Sequence, residues 1–254
     1  MKKIGLVLGS GGLRGMAHIG VLKVLEEENI PIGFIVGCSI GSLIGALFAS
    51  GYSARRLQRM AYRLKRSEWV DFALHRMGLF AGKKILAVMG KMTRQRNIEE
   101  ARIPLYIVAT DLYKGCEVVI ERGNLAEAVR ASIAVPGIFL PYEKDGTLYA
   151  DGALVNPTPV DVARRLHADV VVGVELMHGT DVPELQNVFD VMIRSIDIVE
   201  KQLGHTRCEE ADIMIRPQVG HISPSDFDKA AECIRRGEEA ARIYIEEMRR
   251  LLSS

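Results

Sequence analysis

The residues Gly37-Cys38-Ser39-Ile40-Gly41 place a serine between an apolar run and a helix-like run. Residues 34–36 predict a strand and residues 40–47 predict a helix, so the serine lies at the turn between them. A nucleophile elbow has this layout, with the hydroxyl at the apex of the turn. The flanking glycines admit a close approach of neighbouring chain, and the helix that begins at Ile40 directs N–H groups toward charge beside the serine. The pattern predicts that Ser39 is a nucleophile.

A second cluster, Gly9-Ser10-Gly11-Gly12-Leu13-Arg14-Gly15, lies between a predicted strand, residues 4–8, and a predicted helix, residues 16–28. Such loops present bare N–H groups and bind anions. A P-loop would end in Gly-Lys-Ser/Thr, and a dinucleotide loop would have glycine in place of Arg14. The remaining ligand is the oxyanion of an ester's tetrahedral intermediate, where one lost donor costs about 2.7–4 kcal/mol. A tight turn without a ligand is the alternative.

A third candidate is Asp151, in the run Asp151-Gly152-Ala153 that follows a predicted hairpin with its turn at Asp145-Gly146. A nucleophilic serine needs a base, which is usually a histidine. None of the histidines has a setting suited to catalysis, and a structural or surface role is favoured for each. An aspartate is a weak base at its ordinary pKa of about 3.9, so a Ser–Asp dyad needs direct contact. The alternative is that Asp151 only caps a turn. The histidines are His18, His75, His167, His178, His205 and His221.

Together, and in this order, the three motifs resemble those of the patatin-like phospholipase family. The resemblance is strongest to small bacterial members related to the esterase domain of neuropathy target esterase. It spans residues 4–176 and includes the stretches 108–112 and 131–141. It implies hydrolysis of lipid acyl esters through a Ser–Asp dyad, with Ser39 as nucleophile and Asp151 as base. The implied oxyanion loop contains Gly11 and Gly12, with Arg14 in the basic position beside them.

The chain order and the composition constrain the fold. Too little chain precedes Ser39 for the α/β-hydrolase layout, in which the elbow follows later strands. Predicted strands alternate with helices over 254 residues, so we expect a single α/β domain over residues 1–254. Its mostly parallel sheet is predicted to carry helices on both faces, with ligands at the carboxyl ends of the strands. The last helix is predicted over residues 226–252, packed across the domain or in a homo-oligomer contact.

Charge is concentrated in one segment, residues 55–96. It holds twelve Lys and Arg against Glu68 and Asp71, a net charge of +10 in a chain whose total is +1. Basic residues between bulky apolar ones suit contact with anionic lipid headgroups, and three glycines, Gly78, Gly82 and Gly90, favour a mobile cap over the acyl site. Ordinary helices with solvated basic faces are the equal alternative. No nucleic-acid motif accompanies the patch.

These observations predict a serine acyl hydrolase for phospholipids, lysophospholipids or related acyl esters. The backbone N–H groups of Gly11, Gly12 and Ile40 would hold the oxyanion, and no metal or other cofactor is expected. An acyl thioesterase or acyltransferase with the same dyad, or a low-turnover lipid-binding regulatory protein, are the alternatives. Four cysteines without close pairing, no signal peptide and no apolar run of about 20 residues favour the cytoplasm, with peripheral contact to the inner membrane through residues 55–96.

Overall fold

A computed structural model describes residues 2–63, 71–75, 77–176, 188–207, 210–224 and 226–253. The described strands are β1 (Ile4–Leu8), β2 (Ile32–Cys38), β3 (Phe72–His75), β4 (Gly78–Phe80), β5 (Leu105–Asp111), β6 (Cys116–Ile120), β7 (Gly137–Phe139), β8 (Tyr142–Lys144), β9 (Thr147–Asp151), β10 (Val170–Val174) and β11 (Ile213–Ile215). The described α-helices are α1 (Met16–Glu27), α2 (Ile40–Ala49), α3 (Ala54–Ala61), α4 (Lys83–Thr93), α5 (Leu125–Ser132), α6 (Val160–Arg165), α7 (Val188–Arg207), α8 (Ala230–Arg242) and α9 (Ile245–Ser253).

The central sheet has eight strands and is mostly parallel, as the sequence predicts. Five strands run in parallel in the order β11-β10-β1-β2-β5. Three antiparallel strands complete the sheet: β6 and β9 pair with β5, and β8 pairs with β9. The predicted hairpin is confirmed, because β8 and β9 pair across the Asp145-Gly146 turn. Parallel order places the carboxyl ends of β1 and β2 at one edge, where both glycine motifs begin.

Helices cover both faces of this sheet. Alternate side chains of β1 point to opposite faces, so Leu6 joins the larger core beneath α1, α2 and α8, whereas Val7 joins the smaller core beneath α6. Strand β10 behaves in the same way, since Val172 lies in the larger core and Val171 in the smaller one. Burial of both faces explains the continuous apolar run at residues 170–174.

The prediction of one continuous helix over residues 226–252 is wrong. Two helices, α8 and α9, occupy residues 230–253, and a turn at Ile243 and Tyr244 separates them. The Tyr244 N–H bonds the carbonyl of Ala241, three residues back, so the helix tightens and ends there. Ile243, at this turn, is 76% exposed.

The basic segment at residues 55–96 is described only in part. Residues 64–70 and 76, which include Trp69 and four of its charged side chains, lie outside the described residues. The described part contains α3, α4 and the strands β3 and β4. These two strands form a small sheet with β7, which lies outside the segment, in the order β3-β4-β7, and the sequence did not predict this sheet. The apolar side chains of Ile85 and Met89 on α4 are buried in the larger core, while its lysines are exposed. Within the described part of the chain, no helix combines the length and hydrophobicity that a bilayer span requires.

Candidate active site

Ser39 is the single residue between β2 and α2, and its backbone adopts a rare conformation. Its φ of 53° and ψ of −124° cost a non-glycine residue about 1–3 kcal/mol, so the surroundings must enforce the turn. The Ser39 N–H donates to Ser132 Oγ at 2.9 Å, and the Ser39 carbonyl accepts from Ser42 Oγ at 2.6 Å. Both backbone groups of the strained residue are therefore held by side chains.

The glycines of the elbow are required by close packing. A Cβ on Gly37 would lie 2.6 Å from Cα of Ser42, and a Cβ on Gly41 would collide with the carbonyl oxygen of Leu8. Helix α2 thus starts directly against the end of β1. The same contact brings the elbow next to the glycine loop, because the loop begins at Gly9, directly after Leu8.

Asp151 reaches Ser39 because two strands share one edge of β5. On that edge Val108 pairs with Cys38, the last residue of β2, and Ala109 pairs with Asp151, the last residue of β9. Strand β6 occupies the other edge of β5. The ends of β2 and β9 therefore meet, and a hydrogen bond joins Ser39 to Asp151, which are 112 residues apart in the sequence. Gly152 permits this junction, since a Cβ there would overlap the carbonyl oxygen of Val108.

The two predicted catalytic side chains are in direct contact. Ser39 Oγ donates to Asp151 Oδ2 at 2.6 Å, and Asp151 Oδ1 accepts from the Ala153 N–H at 2.9 Å. Ser39 is 7% exposed and Asp151 is 3% exposed. Burial raises the pKa of Asp151 to about 7, while the hydrogen bonds from Ser39 and Ala153 oppose that rise. A carboxylate with this pKa is a far better base near neutral pH than an ordinary aspartate.

The glycine loop lies beside the elbow, and two of its N–H groups have no acceptor among the described residues. A Cβ on Gly15 would overlap the Ile40 side chain, so the end of the loop touches the first residue of α2. Gly12 has a φ of 57°, and a Cβ there would lie 2.8 Å from Pro224. Among the described residues, none accepts a hydrogen bond from the N–H of Gly11, Gly12 or Ile40.

Three other N–H groups of the loop have acceptors. Those of Gly9, Ser10 and Leu13 donate to backbone carbonyls at 2.8–3.1 Å. These bonds fix the loop on both sides of the Gly11-Gly12 pair. Within the described residues, the N–H groups of Gly11 and Gly12 are thus left without an acceptor between fixed ends of the loop.

The structure places Arg14 beneath the loop. Its buried guanidinium donates to both carboxylate oxygens of Asp197 at 3.0 and 3.2 Å, and its Nε donates to the carbonyl of Gly11 at 3.3 Å. Arg14, the predicted basic residue, thus stabilises the loop through its hydrogen bond to the Gly11 carbonyl. Gly9 lies at the other end of the loop, where a Cβ would lie 2.9 Å from Thr158 Oγ1 and the Val174 carbonyl.

His18 also supports the loop rather than the hydroxyl. Its Nε2 lies 2.8 Å from the carbonyl of Gly9 and donates to it, since a carbonyl only accepts. Burial lowers the pKa of His18 to about 4, so the ring is neutral at pH 7. Cys38, inside the elbow, is buried with a raised pKa caused by burial, as expected for a small apolar residue.

Three polar residues near the site were not predicted from the sequence. Ser132 links the Ser39 N–H to the carbonyl of Val108, to which its own hydroxyl donates at 2.7 Å. Asp197 and Glu200, both on α7, contact the glycine loop. Ser132 lies in the stretch 131–141 that resembles the family, which was the available signal, whereas α7 carries no motif. Within the described residues, no three His, Cys, Asp or Glu side chains are grouped to hold a metal ion.

Comparison with known proteins gives relatives of two kinds. An uncharacterized NTE family protein of Mycobacterium tuberculosis is 38% identical over 181 residues, which are 68% of this chain and 49% of the relative. The human patatin-like phospholipase domain-containing protein 6 is 36% identical over 181 residues, 68% of this chain and 13% of that protein. The chain therefore spans about half the length of its mycobacterial relatives and a small part of the human one.

Solved structures share the fold at low sequence identity. VipD from Legionella pneumophila has a TM-score of 0.58 at 12% identity and covers 97% of this chain, with 67% of its own chain matched. The type III effector protein ExoU has a TM-score of 0.52 at 14% identity, with 97% and 53% covered. A family profile described as patatin-like phospholipase matches residues 6–164, which include both glycine motifs and Asp151. With this match and the identity to its relatives, the chain belongs to the patatin-like phospholipase family.

Proposed function

We propose that the chain is a serine hydrolase for lipid acyl esters that uses a Ser39–Asp151 dyad. Membership of the patatin-like phospholipase family implies lipid acyl hydrolase activity. The observation that carries the assignment of residues is the 2.6 Å hydrogen bond from Ser39 Oγ to Asp151 Oδ2. Phospholipids, lysophospholipids and related acyl esters are the proposed substrate class.

In the first half-reaction, Asp151 accepts the hydroxyl proton while Ser39 Oγ bonds to the carbonyl carbon of the ester. The carbonyl oxygen becomes an oxyanion, which accepts hydrogen bonds from the N–H groups of Gly11, Gly12 and Ile40. The intermediate collapses, the C–O bond to the alcohol breaks, and Asp151 returns its proton to the departing alkoxide. An acyl group remains on Ser39.

Water completes the cycle. Asp151 accepts a proton from the water molecule, whose oxygen bonds to the acyl carbon, and the same N–H groups hold the second oxyanion. Collapse expels Ser39 Oγ, which regains the proton from Asp151, and the fatty acid leaves. The raised pKa of Asp151, about 7, suits both accepting and returning a proton near neutral pH.

Release of fatty acid from a lysophospholipid tests the proposal. Ser39→Ala should abolish release, and Asp151→Asn should lower kcat by about 10²–10⁴, because an amide cannot take the proton. Ser50→Ala at the far end of α2 and Asp145→Asn in the β8–β9 turn are matched controls and should keep wild-type rates. Undiminished release by Ser39→Ala would refute the assignment.

We also propose that the exposed basic side chains of residues 55–96 contact anionic lipid headgroups. The proposal is supported by the exposed arginines of α3 and by Lys83, Lys84 and Lys91 of α4, here called the cap lysines. Tyr62 and Met77, each 54% exposed, add apolar surface in the same segment. Basic residues near an anionic membrane surface contribute about 1 kcal/mol each.

A further inference from the structure

Helix α7 contacts the glycine loop on both sides of the Gly11-Gly12 pair. Ser10, just before Gly11, donates to Glu200 Oε2 at 2.6 Å. Arg14, two residues after Gly12, donates to both oxygens of Asp197. The two acidic residues are three positions apart on α7, so one helical turn carries both contacts.

Both contacts are sheltered from water. Ser10, Arg14 and Glu200 are buried, and the side chain of Asp197 is 16% exposed. Both bonds to Asp197 come from one nitrogen of Arg14, Nη2, and charge-assisted hydrogen bonds in such surroundings are strong. The Arg14 Nε–H holds the carbonyl of Gly11 in turn, so the position of Asp197 is transmitted to the Gly11 peptide.

We propose that Asp197 and Glu200 are positioning residues that hold the Gly11-Gly12 peptides in the geometry that receives the oxyanion. The proposal rests on the proposed function of this loop and adds two residues to the machinery. Neither carboxylate touches substrate. A displacement of about 1 Å at reacting groups costs about 10²-fold in rate. We therefore expect kcat to depend on how firmly Asp197 and Glu200 hold the loop in position.

Glu200 has a second property that a purely mechanical support would lack. Among the described residues, the charged or titratable groups that interact electrostatically with Glu200 are Asp151 at the end of β9, Cys38 at the end of β2, Arg14 in the loop and Asp197 on its own helix. Burial raises the pKa of Glu200 to about 8, and the charge of Asp151 adds to the rise. With its pKa raised to about 8, Glu200 is mostly protonated at pH 7. Ionisation of Glu200 above about pH 8 would put a second negative charge beside the site of the oxyanion.

The test compares Asp197→Ala, Glu200→Ala and Glu200→Gln with Gln202→Ala, an exposed position on the same helix. With a short soluble ester, the two alanine variants of the acidic residues should lose about 10- to 100-fold in kcat with little change in KM. Glu200→Gln keeps an acceptor for Ser10 and should retain most activity at pH 7. It should also lack the decline that we expect for the wild type above about pH 8, where Glu200 ionises. Gln202→Ala should match the wild type.

Wild-type kcat in Glu200→Ala and Asp197→Ala, or an unchanged alkaline decline in Glu200→Gln, would overturn the proposal. Should Glu200→Ala fail to fold, Glu200→Gln still decides through its pH profile. Hydrogen exchange of the peptide covering residues 9–15 gives a readout without turnover, and the alanine variants should exchange faster there. If the wild type shows no Ser39-dependent hydrolysis, the proposed function fails. Unchanged hydrogen exchange of residues 9–15 in the alanine variants would separately refute the proposal that α7 holds the loop in position.

Discussion

Ionisation of Asp151 should control the acid side of the pH–rate profile. Only the carboxylate can accept the proton of Ser39, so kcat/KM should follow the ionised fraction of this one group. With its pKa raised by burial to about 7, about 1% of the enzyme is ionised at pH 5. We therefore expect kcat/KM to be about a hundredfold lower at pH 5 than at its plateau.

Burial of Asp151 also lowers the stability of the folded chain at neutral pH, as proton linkage requires for a group with a raised pKa. Between about pH 4 and pH 7 the unfolded chain releases the proton of Asp151, whereas the folded chain retains it. The free energy of unfolding should therefore fall as the pH rises through this window. The difference between about 7 and the ordinary value of 3.8 corresponds to a total of about 4 kcal/mol. Asp151→Asn, which cannot ionise, should lack this contribution.

The assay is hydrolysis of a short-chain soluble ester between pH 5 and pH 9, together with urea unfolding at the same pH values. The expected profile has a slope of +1 below about pH 7, and Asp151→Asn should unfold at higher urea than the wild type at pH 8. A rate that stays flat down to pH 5 would refute the reasoning. So would a wild-type stability that rises, relative to Asp151→Asn, between pH 4 and pH 7.

Three further outcomes follow from the site. Ser132→Ala removes the acceptor of the Ser39 N–H and leaves buried polar groups unpaired, so we expect a loss of about 1–3 kcal/mol in stability by urea unfolding and a lower kcat. Gly41→Ala should lower Tm through a destabilisation of about 1–3 kcal/mol or more, because its Cβ would collide with the Leu8 carbonyl, whereas Gly45→Ala meets only side-chain atoms and should cost less. Reversal of charge at the three cap lysines should weaken hydrolysis in anionic vesicles but spare a short soluble ester, and equal losses on both substrates would contradict the proposed membrane contact.

The local parts of the site could be predicted from the sequence because their causes are local. An apolar strand, a serine between small residues and a helix-like run define the elbow at Ser39 within a few residues. The turn at Asp145-Gly146 likewise predicts the β8–β9 hairpin, which the structure confirms. The alternation of strands and helices was sufficient for a mostly parallel sheet with helices on both faces.

The non-local parts could not be derived from residue pattern. Contact between Ser39 and Asp151 depends on β2 and β9 meeting on one edge of β5, which is a property of topology. Asp197 and Glu200 occupy an otherwise unremarkable helix, and their role depends on where α7 lies against the loop. The small sheet of β3, β4 and β7 was missed because its strands are three or four residues long and two belong to a basic segment. The break between α8 and α9 was missed because no glycine or proline, the usual signals of a helix end, occurs there.

The most direct test of the central claim is the reaction of the protein with a fluorophosphonate, followed by mass mapping of the modified residue. We predict one adduct on Ser39 of the wild type, none on this peptide in Ser39→Ala, and labelling slowed by about 10²-fold or more in Asp151→Asn. An adduct on another residue, or wild-type labelling of Ser39 in Asp151→Asn, would contradict the dyad.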